Sequence, residues 1–171
     1  VLSARTPAAS LGAVDTTHRP AARVICLDAA ERVLLLRWRD PFDGALIWEP
    51  PGGGVEPDET PLAAARRELA EETGLDPAAV QDRGVPVARD FHWKGTHFVG
   101  TEHFFLARYP AERPPLRRTG LLPDEQVTLT GHAWVSWSGI PALPDPLEPP
   151  HLRAVLTELA PDGPWATAAD G

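Results

Sequence analysis

Gly53-Gly54-Val55-Glu56-Pro57-Asp58-Glu59-Thr60-Pro61-Leu62-Ala63-Ala64-Ala65-Arg66-Arg67-Glu68-Leu69-Ala70-Glu71-Glu72-Thr73-Gly74-Leu75 is the stretch on which the reading of this chain turns. Its second half predicts a helix from about Pro61 to Thr73. Thr60 can cap the N-terminus, and Pro61 falls at the first helical position, where its missing N–H is harmless. Ala63 to Ala70 is strong helix-forming sequence, and Gly74 supplies a stop. Leu62 and Leu69, with Ala65 between them, mark the buried stripe. Glu68, Glu71 and Glu72 stand at i, i+3 and i+4 and therefore share a face. Like charges so close repel one another unless a cation sits among them. Hard oxygen donors at this density suit Mg²⁺ or Mn²⁺. Arg67 can fix one carboxylate through a charge-assisted hydrogen bond. Gly52-Gly53-Gly54 lets main-chain atoms approach a metal or a phosphate, and Glu59 suits the positive end of the helix dipole.

Outward from the helix the pattern becomes strand-like. Ala22 to Leu27 and Arg32 to Trp38 read as a hairpin about the Asp28–Glu31 turn, and Leu46 to Trp48 as a short strand. Beyond the helix, Val85–Trp93 and His97–Tyr109 read as two strands joined at Lys94-Gly95-Thr96. Pro110 to Pro123 predicts a long exposed loop, Ala133 to Trp137 a further strand and His151 to Ala160 an amphipathic helix. Residues 1–17 and 161–171 are expected to be tails around one domain at 18–160. That order fits a mixed sheet covered by helices, an α/β fold.

Composition narrows the function. A formal net charge of −8 argues against broad binding to nucleic acid, though not against a small anionic substrate held through a metal. Cys26 is the single cysteine, so a disulfide scaffold is excluded and a reducing, cytoplasmic setting is the default. No apolar run approaches a membrane span, and Val1 to Thr17 lacks a charged-then-apolar signal pattern. A homodimer stays open.

Gly53, Glu59 and the run Arg67-Glu68-Leu69-Ala70-Glu71-Glu72-Thr73-Gly74-Leu75 match every fixed position of the signature box of the Nudix hydrolases. The chance recurrence of such a pattern in a chain this size is below about 10⁻⁶. Trp48 followed by Pro51-Gly52-Gly53 also resembles the approach to that box. The resemblance implies an α/β/α sandwich that cleaves a nucleoside diphosphate linked to another moiety, with one to three divalent ions held by box glutamates. Carried across, Glu68, Glu71 and Glu72 become metal ligands, joined by the Gly52 carbonyl, with Glu59 in support. The general base falls on a box glutamate or on a downstream loop acid, for which Glu125 is the first candidate and Glu102 a weaker one.

Other assignments are less specific. Arg37 and Arg39 precede the loop to the box and are candidates for phosphate contact. Trp93 and Trp38 border loops and can stack on a base or sugar, although packing is the commoner use of a tryptophan. His92, His97 and His103 lack zinc-ligand spacing. The proline typical of ADP-ribose pyrophosphatases of the family is replaced by Asp90 and Phe91, so the substrate stays open. The alternative is a Nudix-like domain that senses a nucleotide without hydrolysing it. Such domains usually lose box acids, and this chain keeps them all.

Overall fold

The structure is a computed structural model and describes residues 16–166; most of the expected N-terminal tail and residues 167–171 lie outside that range. The strands are β1 (Thr16–His18), β2 (Ala21–Leu27), β3 (Val33–Arg39), β4 (Leu46–Glu49), β5 (Gly52–Gly54), β6 (Val85–Trp93), β7 (Thr96–Arg108) and β8 (Leu129–Val135). The helices are α1 (Pro61–Thr73), α2 (Pro123–Thr128) and α3 (Leu152–Leu159). Long β7 organises the sheet: it pairs in parallel with β1 and β2 and antiparallel with β6. β2 meets β3 at Leu27 and Val33 and β5 along Ala21–Arg23, and β3 carries both β4 and β8 antiparallel.

Strand alternation covers both faces of this mixed sheet. Ala22, Val24, Cys26, Leu34 and Leu36 pack with Ala64, Ala65 and Leu69 of α1. Ile25, Leu27, Val33 and Leu35 pack on the other side with Leu152, Val155 and Leu156 of α3. Every residue of β2 is buried, which is why that strand reads as a nearly continuous apolar run. A fully buried leucine such as Leu69 contributes roughly 1.5–3 kcal/mol relative to an exposed one. The architecture is the α/β/α sandwich that the sequence implies.

α1 has the predicted bounds and caps. Thr60 Oγ1 accepts the Ala63 N–H at 3.2 Å, and the Gly74 N–H donates to the Ala70 carbonyl at 3.0 Å. Three segments depart from expectation. Thr16 and Thr17, placed in a tail by sequence, join His18 in β1 and pair with His97 and Phe98. Trp165, also assigned to a tail, is fully buried against α3 and donates its indole N–H to the Ala160 carbonyl. Residues 123–128, expected as loop, form α2, because Pro123 pre-sets the first helical position and Glu125 accepts the Leu122 N–H at 2.9 Å. β8 consequently starts at Leu129 rather than Ala133. Among the described residues no helix is long and apolar enough to cross a membrane.

Candidate active site

α1, β5, α2 and the β6–β7 hairpin surround a cavity of about 680 Å³. Its floor is acidic. Carboxylate oxygens of Glu68, Glu72 and Glu125 all lie within 4.8 Å of one another. Glu68 and Glu72 are one turn apart on the face of α1 turned toward β5, while Glu125 reaches the same point from α2. Glu71 also lines the cavity but is the more exposed acid, with a side chain 37% exposed against 12% for Glu68. The box glycines admit this packing: a Cβ on Gly53 would stand 2.7 Å from the Glu68 carboxyl carbon. The Gly52 N–H lies 3.4 Å from Glu72 Oε2, a long contact that leaves this buried carboxylate poorly satisfied. Burial, and then Glu68, pushes Glu72 well above the usual carboxylate range; the same two causes raise Glu71.

Arg67 holds the outer side of the acid cluster. Its guanidinium grips Glu59 with two bonds of 2.8 Å and reaches Glu68 at 2.9 Å, Glu71 at 3.4 Å and the Gly54 carbonyl at 3.1 Å. The hydrogen bonds from Arg67 push the Glu59 carboxyl down to about 2. Glu59 therefore acts on the site through Arg67, and Arg67 orients two box glutamates.

Deeper in the cavity lies a charge network that the sequence reading missed. Arg23 bonds Glu102 at 3.2 Å and Glu49 at 3.3 Å, while Arg89 bonds Glu102 and also Glu148 at 2.9 Å. Burial pushes the Glu102 carboxyl up, but Arg23 and Arg89 together pull it below its ordinary value. A carboxylate clamped between two guanidiniums is a poor proton acceptor, so Glu102 is withdrawn as a candidate base. The signal was present: Arg89 follows Val85 and Val87 at inward positions of β6, where a charge needs a buried partner.

The phosphate-contact candidates on β3 do not reach the cavity. Arg37 bonds Asp145 at 2.9 Å and lies over the Trp48 ring, and Arg39 ends the strand exposed and away from the cavity lining. Strand alternation is the reason, since Arg37 shares the face of Val33 and Leu35 whereas Trp38 lines the cavity. Trp93 does line it, with Trp38, Phe91 and Phe98. Across the mouth, Lys94 at the hairpin tip pairs with Asp124 of α2 at 3.2 Å.

The NUDIX domain family matches residues 17–157, most of the chain. The chain belongs to the Nudix family. An RNA pyrophosphohydrolase of Acidiphilium cryptum is 32% identical, over 87% of this chain and 94% of the relative. The MutT NUDIX hydrolase of Burkholderia pseudomallei superposes with a TM-score of 0.53 at 25% identity, covering 84% of this chain and 98% of that one. The dihydroneopterin triphosphate pyrophosphohydrolase of E. coli gives 0.56 at 23% identity, covering 81% and 92%, and shares the fold. As a Nudix hydrolase the chain acts on phosphoric anhydride bonds.

Proposed function

We propose that this Nudix hydrolase is a divalent-metal-dependent pyrophosphohydrolase that cleaves a nucleoside diphosphate linked to another moiety. The convergence of Glu68, Glu72 and Glu125 within 4.8 Å carries this reading. Three carboxylates in so small a space, two of them buried, are stable together only with protons or a cation between them. Hard oxygen donors of this kind fit Mg²⁺ or Mn²⁺. Glu68 and Glu72 would hold the ion, with Glu71 at the outer edge and the Gly52 carbonyl as a further ligand. A divalent ion bound there would neutralise the phosphates and lower the pKa of a water molecule for attack on phosphorus.

The protein's own residues supply positioning. Arg67 fixes Glu68 and Glu71 and ties them through Glu59 to the segment ahead of α1. Glu125 approaches from a different element than the box acids, which suits it to take the proton from the attacking water. Trp93, half-buried in the cavity wall, offers a face for a base or sugar.

A 5′-triphosphorylated RNA end is a second reading, favoured by the name that curated relatives share. The net charge of −8 weighs against extended contact with an RNA backbone and toward a small nucleotide. The test is a panel of nucleoside triphosphates, ADP-ribose, dinucleoside polyphosphates and a triphosphorylated RNA oligonucleotide, each with Mg²⁺ and with products separated by chromatography. Release of nucleoside monophosphate supports the small-substrate reading, and preferential release of pyrophosphate from the oligonucleotide supports the second. Binding without turnover across the panel would leave the sensor alternative standing.

A further inference from the structure

We propose that Arg19 is a substrate-binding residue that takes a phosphate oxyanion of the substrate, an assignment resting on the pyrophosphohydrolase reading above. The cations that line the cavity are Arg19, Arg23, Arg67, Arg89 and Lys94. Four of them are committed to carboxylates: Arg23 to Glu49 and Glu102, Arg67 to the box acids, Arg89 to Glu102 and Glu148, Lys94 to Asp124. Arg19 has no acid partner among the described residues and is exposed. A cavity built for a polyanion needs a cation that is not already neutralised, and Arg19 is the one that remains.

Its location is constructed rather than incidental. The main chain before β2 is pinned on two sides, with the Arg19 N–H donating to the Val99 carbonyl at 3.2 Å and the Val55 N–H donating to the Pro20 carbonyl at 3.0 Å. Pro20 removes one backbone freedom between these anchors. The side chain then lies across Gly54, whose hypothetical Cβ would stand 2.1 Å from Arg19 Nη2 and 2.2 Å from Nε. A side chain at position 54 would displace the guanidinium from this position. Gly54 is also the residue whose carbonyl receives Arg67, so Arg19 lies beside β5, the strand that packs against the acidic face of α1. A planar fork beside an acidic floor that would hold a divalent ion suits a phosphate, whose free oxygens accept bidentate bonds from a guanidinium. Anchoring the backbone lowers the ordering cost of that contact.

The test combines turnover with binding in the full chain. On the fastest substrate of the panel, Arg19→Ala should raise KM about 10- to 100-fold, the size of one charge-assisted pair, with kcat within a few-fold of the parent. Arg19→Lys should recover part of that loss, and the melting temperature should not move. Gly54→Ala should raise KM in the same direction by displacing the guanidinium without changing any charge. Calorimetric binding of the hydrolysis-resistant probe methylenediphosphonate with Mg²⁺ should weaken in Arg19→Ala. A KM and probe affinity within two-fold of the parent in Arg19→Ala would overturn the assignment while leaving hydrolysis intact. Absence of turnover in the parent would instead overturn the hydrolase reading, and the probe would still decide the role of Arg19.

Discussion

Glu72→Gln separates repulsion from metal binding at the centre of the site. Glu72 is 2% exposed, and its carboxylate lies within 4.8 Å of both Glu68 and Glu125. At that distance two like charges repel by roughly 3.5 kcal/mol with an effective dielectric near 20. Arg23 offsets part of this, and partial protonation relieves more, because burial and Glu68 already raise the Glu72 pKa. A net relief of about 1–2 kcal/mol is expected when glutamine replaces glutamate, or about 2–8 °C in Tm for a domain of this size. The sign follows from linkage. A carboxyl with a raised folded-state pKa costs nothing below its unfolded value near 4.3, and the cost accrues as pH rises through the folded value. The gap between variant and parent should therefore open with rising pH and close in acid.

The assay is differential scanning fluorimetry in chelator and in Mg²⁺, from pH 4 to pH 8. In chelator Glu72→Gln should melt above the parent at neutral pH. Mg²⁺ should raise the parent's Tm and leave the variant's nearly unmoved, and turnover should be lost. A variant that melts below the parent in chelator at neutral pH would refute the repulsion argument. Equal stabilisation of both proteins by Mg²⁺ would remove Glu72 from the ligand set.

Excess chelator should abolish turnover of every panel substrate, and added Mg²⁺ or Mn²⁺ should restore it; chelator-resistant turnover would defeat the metal assignment. Glu125→Gln should lower kcat by ~10²–10⁴-fold with little change in KM or in Mn²⁺ affinity measured by electron paramagnetic resonance. A matching loss of Mn²⁺ affinity would make Glu125 a ligand instead. In Arg67→Gln the Glu59 titration, followed by carboxyl NMR, should move from about 2 into the ordinary range, since the Arg67 hydrogen bonds hold it down. Stability carried by that pair, present above the unfolded pKa and lost as pH falls toward 2, should vanish with it. Trp165→Ala should destabilise the fold by about 3–5 kcal/mol in urea, as expected of a fully buried aromatic.

What the sequence discloses and what it hides divide along physical lines. α1 was legible to its caps because Thr60, Pro61 and Gly74 act on their immediate neighbours, so no distant partner is needed to interpret them. The deep burial of Glu72 beside the more exposed Glu71 was not legible. Adjacent helical residues differ by about 100°, and which of them is buried depends on where β5 packs. Arg37 and Arg89 show the same limit from opposite directions. Both are arginines on mostly apolar strands, yet one is drawn to Asp145 outside the cavity and the other to Glu102 within it. Asp145 lies 108 residues from Arg37, whereas Glu102 is only 13 from Arg89 across the β6–β7 hairpin, where the exact register decides that the two meet. α2 lies between these cases. Pro123 and the acidic first turn are local helix signals, but a six-residue helix inside a proline-rich stretch has too little periodicity to stand out. That short helix places Glu125 over the box. The fold follows largely from local and periodic rules, whereas the site depends on long-range register that those rules leave undetermined.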